Sequence, residues 1–152
     1  MKKMLLVLLV MSMTAGAVLG TTPAAGENKA QFALTLSGLF LQPDTGSSRS
    51  VIGPGLRVDL DLGRSLILAP EASVGAKGLC LGGTLNYRYR EFFIGAGGGL
   101  VYFFEERQDI RGSELLKIQV GAKGLHWLVA VSYASNIGGW LKGFSLTAGY
   151  LF

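Results

Sequence analysis

The chain has 152 residues, of which 49% are apolar and only 16% charged, and its mean hydropathy is positive at +0.41. This length predicts one domain, and the composition argues against an ordinary water-soluble globule. The formal net charge of +4 includes two lysines of the N-terminal segment, and no basic patch with interleaved aromatic residues indicates a nucleic-acid-binding protein.

The N-terminal segment has the three parts of a secretory signal peptide. A cationic start, Lys2-Lys3, precedes an apolar run from Met4 to Gly20 that ends in small residues. We expect residues 1–20 to be a cleaved signal peptide, residues 21–28 a short periplasmic segment, and residues 29–152 the folded domain. The alternative is an uncleaved anchor, although the run is barely long enough to span a bilayer.

Eight segments that alternate in polarity follow, separated by Gly, Asp, Ser, Asn and charged residues. A period of two places alternate side chains on opposite faces of a strand and cannot make a helix amphipathic. The second segment shows this most sharply, because Leu56, Val58 and Leu60 alternate with Arg57 and Asp59. In chain order the segments cover residues 30–41, 55–62, 65–76, 79–90, 92–104, 115–122, 125–134 and 143–152.

The two faces of these predicted strands differ in a way that selects the fold class. One face is apolar and aromatic, and the other is mostly Gly, Ala, Ser and Thr with few charges. A soluble sandwich, or a lipocalin-like barrel that binds a ligand in an apolar lumen, needs a well-charged outer face. In a transmembrane barrel the apolar face contacts lipid and the small polar face fills the lumen. The pattern therefore predicts an all-β, eight-stranded antiparallel up-and-down barrel surrounded by outer-membrane lipid.

The aromatic residues and loop lengths support this orientation. With strands running alternately from a periplasmic N-terminus, the aromatic residues fall into two girdles, as membrane barrels require. The longer connections fall at the outer end, and we expect an extracellular ligand, if there is one, to bind residues 43–50 and 105–113. The girdles comprise Tyr87, Tyr89, Phe92, Trp127, Tyr150 and Phe152 at the periplasmic end, and Phe40, Tyr102, Phe104, Tyr133 and Trp140 at the outer end.

The final segment, GFSLTAGYLF, carries the most specific resemblance. Over about residues 29–152 the chain resembles the small eight-stranded bacterial outer-membrane barrels represented by the OmpA membrane domain, OmpX and the OmpW group. These barrels typically finish on an aromatic residue preceded by alternating apolar positions, which the barrel-assembly machinery reads as a sorting signal. The resemblance implies a monomeric outer-membrane protein with a structural or surface-interaction role, and an assembly signal formed by Phe144, Leu146, Ala148, Tyr150 and Phe152.

Charged residues on the inward face predict a filled lumen, because an eight-stranded barrel is just wide enough for side chains to fill it. If the second and third strands pair around a turn at Gly63–Ser65, then Arg57 lies opposite Glu71. Buried charges need partners. The alternative is a narrow pore that conducts ions or small molecules. The predicted lumen network consists of Arg57, Asp59, Asp61, Glu71, Arg88, Arg90 and Lys117.

The sequence predicts no cofactor, no metal site and no catalytic site. His126 is the only histidine. It is placed facing inward at the start of the seventh strand, and the next inward residue is Leu128, so a lipid-modifying enzyme with a His-x-Ser pair is not indicated. Cys80 and His126 do not make a tetrahedral metal site. The glycines of residues 95–99 lie within a strand, where they leave room for long side chains from other strands.

Overall fold

A computed structural model describes residues 30–104 and 112–152. The predicted signal peptide (residues 1–20) and the segment 21–28 lie outside these ranges, as does residue 29. Eight antiparallel strands close into a barrel in which each strand pairs with its neighbours in the chain and β1 pairs with β8, so the predicted architecture is confirmed. The strands are β1 (Ala30–Pro43), β2 (Arg49–Gly63), β3 (Leu66–Gly75), β4 (Gly78–Tyr89), β5 (Phe92–Phe103), β6 (Gly112–Lys123), β7 (Trp127–Asn136) and β8 (Leu141–Leu151).

The second strand begins earlier than its polarity pattern predicts. The alternation becomes visible at residue 55, but β2 starts at Arg49 and pairs with β1 from there. Glycines on the inner face hide the first part of the pattern. A Cβ atom at Gly53 would lie 1.9 Å from the carbonyl oxygen of Val74, so the close approach of β3 requires glycine at this position.

Pro70 lies inside β3, where a proline cannot donate a hydrogen bond to a neighbouring strand. The β3–β4 ladder runs without interruption and pairs Pro70 with Gly83. On the other side, the paired positions pass from Arg57 and Glu71 directly to Leu60 and Leu68. The sheet therefore tolerates the proline because the β2–β3 ladder is interrupted beside it.

The strand alternation gives the barrel an apolar outer surface. Leu, Ile and Val occupy the centres of the outward faces, and most of the outward aromatic side chains lie towards the strand ends, as predicted. We call the end with the connections 44–48, 76–77 and 137–140 the outer end, and the end with the turns 64–65, 90–91 and 124–126 the inner end. In the described ranges, no helix is long and apolar enough to cross a membrane.

Two clusters of apolar side chains lie inside the barrel, one towards each end. Polar and charged side chains occupy the space between them and form the candidate site. The outer cluster contains Leu41, Val51, Val101, Phe103, Leu115, Ala134 and Leu141. The inner cluster contains Ala33, Phe93, Leu128, Ala130 and Leu151.

Candidate functional site

A chain of alternating charges crosses the lumen from β6 to β2 and β3 and back to β6. Lys117 Nζ donates a hydrogen bond to Glu71 Oε1, and the other oxygen of Glu71 lies 3.8 Å from Arg57 Nη1. Arg57 Nε donates to Asp59 Oδ1 at 2.7 Å, and Lys123 Nζ donates to Asp59 Oδ2 at 2.7 Å. We call these five residues the charge network. Three cations face two carboxylates, so the network holds one excess positive charge.

The centre of the charge network is removed from solvent. Arg57, Asp59 and Lys123 are only 2%, 3% and 4% exposed. The guanidinium carbon of Arg57 also lies 5.4 Å from the centroid of the Phe93 ring, which gives the cation a favourable aromatic contact. Within the described residues, Arg57 Nη1 makes no hydrogen bond, so its interaction with Glu71 is an ion pair at longer range. Buried ions of this kind persist only when each has an oppositely charged partner.

The structure assembles part of the network that the sequence predicts. Arg57 lies directly opposite Glu71 in the β2–β3 ladder, as the predicted turn requires, although a bulge follows between Asp61 and Gly63. Arg57, Asp59, Glu71 and Lys117 come together. The polarity pattern does not predict Lys123 as part of the network, because the predicted sixth strand ends one residue before it, whereas in the structure Lys123 lies on the same face of β6 as Lys117.

Three of the predicted lumen residues do not join the charge network. Asp61, Arg88 and Arg90 are exposed at the inner end of the barrel. Asp61 Oδ1 accepts a hydrogen bond from the amide of Gly63, and Arg88 Nε donates to the carbonyl oxygen of Arg90. The strand alternation assigns these positions to the inward face. Their strands end there, however, and the side chains form hydrogen bonds with the turns and not with groups in the lumen.

Beside the charge network lies a neutral group of polar side chains, which we call the amide cluster. Gln119 Nε2 donates to Thr84 Oγ1 at 2.8 Å and also to Asn86 Oδ1, and Asn86 Nδ2 donates to Thr84 Oγ1 at 3.1 Å. All three side chains are buried. Gly95 of β5 is the ladder partner of both Asn86 and Gln119, so their hydrogen bond passes over a position that has no side chain.

A cavity of about 70 Å³ lies beside Glu71 and Lys117, on the outer side of the charge network. Its polar lining includes hydroxyl groups from several strands and the thiol of Cys80, and a space of this size is large enough for a few water molecules. In the part of the chain that the structure describes, no group of three or more His, Cys, Asp or Glu residues is arranged to hold a metal ion. The polar lining residues are Thr35, Ser37, Glu71, Ser73, Cys80, Lys117, Ser145 and Thr147.

His126 does not face the lumen, and that part of the prediction is wrong. The strand β7 starts at Trp127, and residues 124–126 belong to the turn before it, so the alternation does not extend back to His126. The imidazole is exposed and stacks on the Tyr150 ring, with centroids 5.6 Å apart, on the outward side of β8. Its Nδ1 lies 3.4 Å from the carbonyl oxygen of Leu151, and the tautomer with a proton on Nδ1 donates a hydrogen bond to that oxygen.

Comparisons with solved structures place this geometry among known folds. Ail, the attachment invasion locus protein of Yersinia pestis, crystallised with the heparin analogue sucrose octasulfate, is 16% identical, with a TM-score of 0.50, and the match covers 84% of this chain and all of that one. The fold is that of the small eight-stranded outer-membrane barrels. The N-terminal β-barrel domain of Pseudomonas aeruginosa OprF matches at 11% identity and a TM-score of 0.47, over 82% of this chain and 100% of that domain. No family model matches the chain, and no curated protein matches it.

The final strand of the barrel alternates between an outward apolar face and an inward face of small and polar residues. The five residues predicted to form an assembly signal all point outward and are exposed. Tyr150 and Phe152 make an edge-to-face ring contact at 5.2 Å, and the amide of Phe152 donates to the carbonyl oxygen of Phe32, which joins this segment to β1. Their use as an assembly signal stays a prediction.

At the outer end of this small barrel, the first connection is shorter than predicted. It spans residues 44–48, because β1 extends to Pro43 and β2 starts at Arg49. The amide of Asp44 donates to the carbonyl oxygen of Trp140 at 2.8 Å, and its carboxylate lies 3.6 Å from Lys142 Nζ. These contacts join the connection to the β7–β8 turn. Of the second predicted ligand loop, residues 105–111 lie outside the described residues.

Proposed function

We propose that the chain is an integral protein of the bacterial outer membrane, with a structural or surface-interaction role and a lumen that its own side chains keep closed. The charge network carries this proposal. A membrane pore needs water along its axis, whereas here buried ion pairs cross the lumen between two apolar clusters. The apolar outer wall supports the membrane location, and the predicted signal peptide supports export.

The location is tested by fractionating cells that express the chain. We expect the protein in the outer-membrane fraction, extractable only by detergent, with a gel mobility that changes on heating as the barrel unfolds. Recovery in the soluble periplasmic fraction would overturn the proposed location and restore the lipocalin-like alternative.

The closed lumen is tested by recording current across a planar bilayer that contains the purified barrel. We expect no discrete conductance steps from the unmodified protein. Replacing Glu71 with alanine removes the carboxylate that lies between Lys117 and Arg57, and Asp44→Ala is a matched control, because Asp44 lies outside the lumen. Regular steps from the unmodified protein that change with Glu71→Ala, but not with Asp44→Ala, would favour the pore.

For the surface role, we infer that the ligand at the outer end is anionic. Ail, which shares the fold, was crystallised with a heparin analogue. In this chain, Lys77 and Lys142 are exposed at the outer end. We expect immobilised heparin to retain the barrel in detergent, and Lys77→Gln with Lys142→Gln to weaken retention. Equal retention of this double variant and the unmodified barrel would show that the two lysines take no part.

The barrel-assembly machinery is the partner we propose for the final strand. Phe152→Ala is expected to lower the amount of barrel inserted in cells while leaving the stability of the refolded barrel nearly unchanged. Phe92→Ala is the matched control, because it removes another exposed phenylalanine at the inner end. An equal loss of inserted protein in both variants would attribute the effect to the aromatic girdle.

A further inference from the structure

Three residues other than glycine have a positive φ angle in the described part of the chain, and all three lie in turns at the inner end. They are Arg64 (52°) and Ser65 (67°) in the β2–β3 turn and Arg90 (56°) in the β4–β5 turn. Glycine or asparagine adopts this left-handed conformation at lower cost than an arginine does. Strained positions of this kind cluster at functional sites. Two of the three positions carry arginine, so the backbone strain at this end of the barrel coincides with positively charged side chains.

The two turns are neighbours on the barrel rim. The amide of Arg88, near the end of β4, donates to the carbonyl oxygen of Ser65 at 2.7 Å. The guanidinium of Arg88 donates from Nε to the carbonyl oxygen of Arg90 at 2.8 Å. These bonds collect Arg64, Arg88 and Arg90 in one sector of the inner end, and all three are exposed. We call them the rim arginines.

The sector has an excess of positive charge. Within the described ranges, none of the rim arginines lies within 4.0 Å of a carboxylate oxygen. The nearby acidic residues in the sequence are Asp61, which accepts a hydrogen bond from the amide of Gly63, and Glu91. Since no carboxylate of the described residues pairs with them, the three guanidinium groups can donate hydrogen bonds to a ligand.

One rim arginine lies at the boundary between the apolar wall and water. The guanidinium carbon of Arg90 is 5.5 Å from the centroid of the Tyr89 ring. Tyr89 is 64% exposed and belongs to the outward aromatic residues of the inner end. Aromatic rings of membrane proteins lie at the level of the lipid headgroups, so Arg90 lies at the depth of lipid phosphates.

We propose that the rim arginines bind the phosphate of an anionic phospholipid headgroup in the leaflet at the inner end, an inference that rests on the proposed membrane location. Guanidinium groups match phosphate oxygens in geometry and form two parallel hydrogen bonds with them. The lipid occupies the sector beside Tyr89, with its acyl chains along the apolar wall and its phosphate against the arginines. A soluble phosphate has no acyl chain that could contact the apolar wall beside Tyr89.

The test measures lipid preference around the inserted barrel. The barrel is refolded into phosphatidylcholine vesicles that contain a trace of spin-labelled phosphatidylglycerol or spin-labelled phosphatidylcholine, and the bound fraction of each label is compared. We expect a preference for phosphatidylglycerol that falls about fivefold for each arginine neutralised. The variant combines Arg64→Asn, Arg88→Gln and Arg90→Asn, because asparagine tolerates the left-handed conformation.

The same variant separates binding from a structural role. Since asparagine relieves backbone strain at residues 64 and 90, the barrel should become at least as heat-resistant while its lipid preference falls. The double variant Asp61→Asn and Glu91→Gln changes two exposed acidic residues of the same sector and serves as the control, because the preference for phosphatidylglycerol should not fall in it. A triple variant that keeps the full preference for phosphatidylglycerol would overturn the proposal.

A soluble competitor and a check of insertion distinguish the remaining explanations. If soluble glycerol phosphate abolishes the preference, the site takes a free phosphate compound and the lipid assignment is wrong. Heat-modifiable gel mobility shows whether the barrel has inserted. An inserted barrel without lipid preference overturns only this inference, whereas a barrel that does not insert into vesicles overturns the membrane location as well.

Discussion

The charge network and the amide cluster lie side by side in one lumen, and the polar groups that they bury are compensated in different ways. In the charge network each ion contacts at least one opposite charge, on its own strand or on another, and the central pair of Arg57 and Asp59 is almost fully buried. The amide cluster is neutral, and it depends on the missing side chain at Gly95. The charge network is therefore sensitive to the loss of a charge, and the amide cluster is sensitive to the addition of a side chain at Gly95.

The largest expected effect comes from removing the carboxylate at the centre of the charge network. Asp59→Ala leaves Arg57 and Lys123 without their shared partner in a site where neither cation reaches water. Breaking a buried ion pair in this way should lower the free energy of unfolding by about 3–5 kcal/mol. The measurement is the urea midpoint of the refolded barrel in micelles, followed by gel mobility.

Asp61→Ala is the matched control, because it changes the same residue type on the same strand at an exposed position. Its carboxylate accepts one hydrogen bond from the Gly63 amide in contact with water, so the loss should be at most about 1 kcal/mol. Similar losses in the two variants would mean that the charge network contributes no more than a surface contact.

A smaller effect is expected where space is the limit. A Cβ atom at Gly95 would lie 2.1 Å from Asn86 Oδ1 and 2.6 Å from the carbonyl oxygen of Leu85. Gly95→Ala should therefore separate the amide cluster and cost about 1–3 kcal/mol, as overpacking usually does. Unfolding of the refolded variant in urea measures this cost.

Gly83→Ala provides the comparison for that substitution. The nearest atom to a Cβ at Gly83 is the Cα of Pro70 at 3.5 Å, an ordinary contact distance. Alanine restricts the unfolded chain more than glycine does, so this variant should be unchanged or stabilised by up to about 1 kcal/mol. If Gly95→Ala and Gly83→Ala change the free energy of unfolding equally, close packing does not require glycine at position 95.

The sequence predicts much of the charge network, because an alternating strand with a short turn fixes which charges face each other. The pairing of Arg57 with Glu71 follows from counting residues back from the turn at Gly63–Ser65. The same counting fails at the strand ends. The alternation does not show where the lumen ends. It predicts inward-facing side chains at Arg88 and Arg90, but both are exposed.

The amide cluster could not be predicted in the same way. Asn86 and Gln119 lie on strands that are separated by β5 and by 33 positions in the chain. Their contact depends on the register of two ladders at once, and each register is set by turns and bulges whose details the polarity pattern does not contain. The inward glycines of β5 were the available signal, since they mark a place where other groups approach closely.

The smallest effect is expected from an ion pair outside the lumen, which provides a reference for the effects in the charge network and the amide cluster. Lys142 and Asp44 lie 3.6 Å apart with side chains 55% and 57% exposed. Lys142→Gln should change the free energy of unfolding by less than about 1 kcal/mol, and added salt should reduce even that difference. Lys117→Gln removes the same type of contact from a side chain that is only 15% exposed, and it should cost more at every salt concentration because Glu71 keeps only the longer contact to Arg57. Equal costs for the two lysines in urea titrations at low and high salt would show that position in the lumen adds nothing to an ion pair in this barrel.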